Sequence, residues 1–233
     1  TGSEEFDIEL PEFANDIAIN PVDFGAGTEA SDNTEAFKKA IAAAKAQKAA
    51  RIVVPFGEYK FTSSEWLEFD GFETFEFDGQ GSTLNFWKQR NVPSCFFNIM
   101  NSRRIRFANF NIDWDWERDP IASVAMVERI GDNREFVDLC FVDYDKFPNP
   151  DITIKLIDQM TSDRTGGMGE ESVWFNFNGE TKWLSGNLLR GYLGNFAGGL
   201  PANVKVGQMY KISHYYYDFT AVAMSGNVNL TLE

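Results

Sequence analysis

The sequence predicts an all-β fold: a parallel β-helix whose coils are interrupted by an inserted antiparallel β-barrel or sandwich. Three observations predict it. Apolar and polar residues alternate with period 2, which places successive side chains on opposite faces of a strand. The stretch from Trp66 to Trp116 states one pattern twice at a spacing of 30: Trp66-Leu67-Glu68-Phe69 returns as Phe96-Phe97-Asn98-Ile99, Phe75-Glu76-Phe77 as Ile105-Arg106-Phe107, and Leu84-Asn85-Phe86 as Trp114-Asp115-Trp116. A third copy stands far downstream, where Val228-Asn229-Leu230 matches Ile105-Arg106-Phe107 at a spacing of 123, so that 93 residues beyond one period interrupt the repeat. A repeat of roughly 20 to 50 residues made of strands and turns reads as stacked units, each burying its face on the next. A propeller blade would instead need consecutive hairpins with tight turns, whereas this unit has corners such as Asp78-Gly79-Gln80-Gly81 and Ala108-Asn109.

Residues 1–20 form an acidic extension with a few apolar anchors, Phe6, Ile8, Leu10 and Phe13. The first coils occupy 21–116 and begin with a short strand and a glycine-rich bend, Asn20 to Gly27. A helix is expected over 33–48. Asp32 or Asn33 serves as its N-cap, Phe37, Ala40, Ile41 and Ala44 recur at i, i+3, i+4 and i+7, and Lys45 and Lys48 sit in the last turn. Such a single-striped helix suits the open end of a stack, where it covers strand edges. Arg51 to Tyr59 reads as a buried strand stopped by Pro55 and turned by Gly57.

The insert spans 117–218. Val124-Ala125-Met126-Val127 leads through Gly131-Asp132-Asn133 into Phe136 to Phe141. Ser172 to Phe177 turns at Asn178-Gly179 into Glu180 to Leu184, and Asp163 to Gly169 reads as a mobile loop. Residues 219–233 return to the repeat, and the third copy is cut short at Glu233. An exposed final coil predicts self-association, because unpaired strand edges recruit other chains.

The run Val22-Asp23-Phe24-Gly25-Ala26, then Asp32-Asn33-Thr34-Glu35-Ala36-Phe37, then Ile52-Val53-Val54-Pro55-Phe56-Gly57-Glu58-Tyr59, resembles the opening of the pectin-lyase-like right-handed parallel β-helix superfamily. That superfamily contains polygalacturonases, other glycoside hydrolases, polysaccharide lyases and phage tailspikes. Two features depart from its pattern: no Lys-Gly-Asp-Gly run lies between Ala26 and Asp32, and Ala49-Ala50 replaces a common glycine pair. Val204 to Ile212, followed by the returning repeat, is similar to the β-helix exo-galactosidases, which also carry barrel insertions. The resemblance implies the N-terminal part of a secreted, periplasmic or cell-surface glycoside hydrolase acting on a poly- or oligosaccharide, with its catalytic coils beyond Glu233. A non-catalytic glycan-binding or adhesion module is the alternative, and a tailspike-like fibre a third.

The bulk numbers narrow the classes. A chain that is 43% hydrophobic and 15% aromatic can pack a core, and 21 Lys+Arg against 35 Asp+Glu gives a net charge of −14. That charge repels phosphate backbones, so nucleic acid is not expected as a partner, and it disfavours a strongly anionic polymer unless a local patch such as Arg103-Arg104-Ile105-Arg106 overrides it. No run of 18 apolar residues is present, so no membrane insertion is expected. Cys95 and Cys140 read as two buried thiols or as one disulfide tying insert to helix.

The densest carboxylate cluster is Asp113, Asp115, Glu117 and Asp119, interleaved with Trp114 and Trp116. Continued alternation would turn the tryptophans inward and the acids outward. Residues two apart on a strand lie about 6.5 to 7 Å apart, which is compatible with the roughly 6.5 to 9.5 Å between the acid and base of an inverting glycosidase. Asp113 and Asp115 are therefore the catalytic candidates, and all four acids are candidate Ca²⁺ ligands; a solvated acidic edge is the plainer reading. His214 is the single histidine, so no multi-histidine metal site can form. With Tyr215 and Tyr217 it is a candidate for holding a sugar, through stacking faces and hydroxyl donors, or else it is a strand-end histidine.

Overall fold

The computed structural model describes residues 12–87, 94–149, 151, 156–160, 168–173, 180–192, 200, 202, 204–214 and 219–233. The chain divides into two compact units, Thr1–Trp114 with Asp218–Glu233, and Asp115–Tyr217.

The first unit opens with β1 (Ala18–Ile19) and a 3-10 turn, Pro21–Phe24, which Asn20 caps by accepting the Val22 N–H at 2.9 Å. Gly25 closes that turn at φ 96, a left-handed conformation that costs glycine nothing. Helix α1 (Thr34–Gln47) follows. Asp32 holds its first turn, accepting the Thr34 N–H at 3.0 Å and the Thr34 hydroxyl at 2.6 Å. Asn33 is fully buried and works sideways: it accepts from the Gly27 N–H and donates to the Lys60 carbonyl, tying the helix start to a strand. Phe37, Ala40, Ile41 and Ala44 are buried, and the helix packs against β1, β2 (Arg51–Val53) and β4 (Leu67–Asp70), β3 (Glu58–Phe61) intervening in sequence.

Two parallel sheets complete this unit. β5 (Glu73–Phe86), β6 (Ser94–Met100) and β7 (Arg103–Trp114) are joined after residue 218 by β15 (Phe219–Ser225) and β16 (Val228–Leu232). The larger sheet runs β1-β2-β5-β7-β16, with β3 also on β5, and the smaller runs β15-β6-β4. The spacing of 30 is a hydrogen-bonded register: Leu67 stands beside Phe97, Phe75 beside Ile105 and Phe77 beside Phe107. Phenylalanines from both sheets share one core. Phe69 meets Phe107 edge-on at 4.9 Å, Phe77 stacks on Phe107 at 5.6 Å, and all three are fully buried with Phe97.

The second unit holds β8 (Ala122–Ile130), β9 (Phe136–Phe141), β10 (Leu156–Met160), β11 (Met168–Val173), β12 (Thr181–Trp183), β13 (Leu188–Tyr192) and β14 (Met209–Ser213). They form one antiparallel sheet in the order β11-β10-β14-β8-β9-β13-β12. Ala125, Val127, Leu139, Phe141, Leu189, Tyr210 and Ile212 make its core together with Phe147. Arg190 pairs with the nearly buried Asp138 through two 2.7 Å hydrogen bonds and lies over the Phe136 ring at 3.8 Å. The carboxylate holds that guanidinium protonated far above its ordinary range.

The expectation of an all-β, right-handed parallel β-helix with an inserted barrel or sandwich is corrected. The protein is mostly β with one α-helix, its strands lie in two parallel sheets and one antiparallel sheet, and a parallel β-helix is not shown. The larger parallel sheet also recruits β1, β2 and β3 from outside the repeat, and residues of the two parallel sheets share a core against which α1 packs. Among the described residues the antiparallel strands form a single sheet in linear order rather than a barrel or a two-sheet sandwich.

Two registers also differ from the repeat read in the sequence. Leu84 pairs with Ile112 and Phe86 with Trp114, two residues short of 30, because β5 has three residues (Gly79-Gln80-Gly81) between Asp78 and Ser82 where β7 has only Asn109 between Ala108 and Phe110. Leu230 pairs with Ile105 and Val228 with Arg103, a spacing of 125 rather than 123. A slip of two residues keeps every side chain on its face, so alternation alone cannot detect it.

Candidate functional site

The acidic cluster is not one surface of one strand. β7 ends at Trp114, which is 4% exposed and lies against Phe96, whereas Trp116 is 44% exposed, so the alternation stops between them. Asp113 is exposed and accepts the Trp114 N–H at 2.7 Å. Asp115 lies beyond the strand and begins a turn, its carboxylate accepting from the Arg118 N–H at 3.0 Å and its carbonyl from the Asp119 N–H at 3.0 Å. Asp119 is 2% exposed and takes a 2.6 Å hydrogen bond from Asn149, while Glu117 points into solvent. Among the described residues no group of three or more His, Cys, Asp or Glu is placed to hold a metal ion.

His214 is fully buried. Its Nε2 and the Ser123 hydroxyl share a 2.8 Å hydrogen bond, and its ring lies near Phe141 and Phe147, so it presents nothing to a ligand in solvent. Tyr215 and Tyr217 lie outside the described residues, as do the Asn178-Gly179 turn and most of the loop expected over 163–169. Both cysteines are thiols rather than halves of a disulfide; Cys95 is buried, and partial burial, with Glu128 second, pushes the Cys140 thiol up. Of the Arg103 to Arg106 patch, Arg104 is engaged by Glu73 at 2.9 Å, and Arg106 is held between Glu76 at 2.7 Å and Glu233 at 2.6 Å.

Two grooves of the first unit flank α1. On one side a groove of about 200 Å³ lies between the helix residues Lys38, Ile41 and Lys45 and the β4 residues Glu68 and Asp70, with Trp66 along its edge. On the other a groove of about 530 Å³ is lined by Lys45, Lys48, Phe72, Glu73 and Arg104 among others. Lys45 and Phe72 belong to both. Trp66 is 39% exposed, and its indole N–H reaches the Glu68 carboxylate at 3.3 Å, which fixes the ring's orientation. Lys38, paired with Glu65 at 2.5 Å, and Lys45, paired with Asp70 at 3.5 Å, line the same groove, and the Arg104–Glu73 pair lines the other. Glu65 and then Glu35 hold the Lys38 ammonium above its ordinary range, and the hydrogen bond from Asn101 holds the Asp70 carboxyl below its own.

An oriented indole face beside donors and acceptors of both signs suits a ligand with one apolar face and a hydroxylated rim. No protein-family model matches the chain, and no curated protein matches it. Among the described residues no helix is long and apolar enough to cross a membrane.

Reading the sequence for clustered acids missed Trp66 and its neighbours. Parity within the repeat could have found them. Leu67 and Phe69 are buried, so Trp66 and Glu68 must face outward, and a tryptophan on the outward face is the informative exception. Phe96, at the same place in the next repeat, is 6% exposed and stacks on Phe86 at 4.2 Å, so the two copies diverge where the groove lies.

Proposed function

We propose that this chain is the glycan-binding part of a secreted, periplasmic or cell-surface carbohydrate-active protein, and that it seats a sugar ring on Trp66 in the groove beside α1. The observation that carries the reading is the half-exposed Trp66 indole held by Glu68 among the Lys38–Glu65 and Lys45–Asp70 pairs. Pyranose rings offer an apolar C–H face to an aromatic ring while their hydroxyls bond to charged side chains at the rim. A neutral or weakly charged glycan fits best, because the grooves carry both signs and the chain as a whole carries −14.

A glycan array followed by titration of the best hit tests it. Saturable binding is expected, with Trp66→Ala weakening it by at least about tenfold, the worth of one aromatic anchor. Failure to retain any glycan, or binding untouched by Trp66→Ala, removes the proposal. Release of sugar in the same incubations would move the reading to a glycoside hydrolase, with Asp113→Asn and Asp115→Asn as the variants that locate the acids.

A further inference from the structure

The larger groove beside α1 carries an excess of positive charge in a chain whose net charge is −14. Its charged lining residues are three cations, Lys45, Lys48 and Arg104, and one carboxylate, Glu73. Lysines at the end of a helix are accounted for by its dipole, which favours cations there. Arg104 has no such account, since it comes from β7.

The cations are only partly used. Arg104 gives its Nε hydrogen to the Thr74 hydroxyl at 3.1 Å and one Nη2 hydrogen to Glu73 at 2.9 Å, which orients the guanidinium and leaves Nη1 uncommitted. Lys48 is exposed, and among the described residues its ammonium makes no hydrogen bond or ion pair; its backbone carbonyl takes the Asn15 amide at 3.0 Å, which fixes the chain there. Lys45 stands 3.5 Å from Asp70, a loose pairing. Its ammonium is 3.8 Å from the place a Cβ on Gly71 would take, and Gly71 lines the larger groove while Asp70 lines the smaller. Lys45 therefore marks the ridge between the two.

The backbone at this groove is held in an unfavourable conformation. Thr74 at φ 54 and Arg104 at φ 52 are both left-handed and stand opposite each other in β5 and β7, between the paired positions Glu73 with Arg103 and Phe75 with Ile105. Glycine or asparagine is usual at such positions, and a β-branched threonine is a marked exception. The Arg104–Thr74 hydrogen bond joins the two strained residues, and strain of this kind gathers where a ligand needs its partners fixed in advance.

We propose that the larger groove is an anion subsite that takes one sulfate ester carried by the glycan, an inference that rests on the Trp66 seat for the sugar itself. Lys45 and Phe72 belong to the walls of both grooves, so a sugar residue next to the one on Trp66 enters the larger groove across that ridge. A sulfate ester presents three terminal oxygens to three cationic donors, whereas a carboxylate presents two in one plane. Its single charge is also the amount the groove can hold, because a polyanion would meet the repulsion of the rest of the chain.

Two measurements on the 233-residue chain test this. Sodium sulfate, titrated against sodium chloride of equal ionic strength, should give saturable amide shifts at Gly71, Thr74 and Arg104 in two-dimensional NMR spectra, and the double variant Lys48→Ala with Arg104→Gln should abolish them. Both side chains are exposed, so the variant should keep the wild-type melting profile. In calorimetry, the mono-O-sulfated form of the best neutral glycan should bind at least about tenfold tighter than the neutral form, the worth of one charge-assisted contact. The double variant should remove that preference, and raising ionic strength should shrink it. Sulfate shifts without any glycan binding would retain the anion site and strike the Trp66 seat. Glycan binding that depends on Trp66, with no sulfate shifts and no preference for the sulfated form, overturns the anion site alone. Equal gain from a carboxylate at the same position overturns the assignment to sulfate.

Discussion

Tyr59 joins three kinds of force in one residue. Its ring is 2% exposed and meets Phe37 edge-on at 5.7 Å, and its hydroxyl donates to the Pro55 carbonyl at 2.9 Å. Burial pushes its ionisation up, so the folded protein holds this proton more tightly than the unfolded chain does. The stability it contributes is therefore complete below the unfolded value of about 10 and is lost as pH rises through the higher folded value. Denaturant unfolding across the alkaline range should show Tyr59→Phe losing less stability than wild type. At neutral pH the variant should be only about 0.5 to 1 kcal/mol weaker, since the Ser82 hydroxyl still donates to the same carbonyl. Some residue roles were legible in the sequence and some were not, for definite reasons. The helix stripe of Phe37, Ala40, Ile41 and Ala44 was visible because periodicity reports burial. The separate environments of Asp113, Asp115 and Asp119 were hidden, because spacing along a sequence does not reveal where a strand stops.

At the scale of elements, the bulge in β5 accounts for the lost register. Gly79 lies so close to β7 that a Cβ added to it would run into the Phe110 Cβ and come within 2.7 Å of the Asn109 carbonyl oxygen. Neither neighbour is the far end of a flexible side chain, so Gly79→Ala should cost about 1 to 3 kcal/mol of overpacking, seen as a lower urea midpoint. Gly27→Ala, with nothing within 4 Å of the place its Cβ would take, should change the midpoint little. The same bulge explains how far the repeat could be read. Phe75, Phe77, Ile105 and Phe107 declare their partners because apolar residues of one size recur at one spacing. Beyond Asp78 the extra residues shift the pairing by two, and two is the period of the strand, so the pattern looks undisturbed.

For the whole molecule, local pattern was easier to read than architecture. Strand alternation and the returning segment at Val228 indicated parallel neighbours, but not how many strands from outside the repeat would join them, nor that the described strands between Asp115 and Tyr217 would lie in one linear order. The return itself is held by Asn227, whose side chain accepts the Ser102 N–H at 2.9 Å and donates to the Ile99 carbonyl at 2.8 Å. That small clamp has a consequence in time. β5 and β7 meet across a loop of about thirty residues, whereas β15 and β16 must wait for a chain excursion several times longer to close, a step whose entropic cost grows with the logarithm of loop length and whose rate falls with contact order. Pulse-labelled hydrogen exchange during refolding should therefore protect β5 and β7 before β15 and β16. Asn227→Ala should delay the late protection and leave the early one alone, making Asn227 the latch that closes last and opens first.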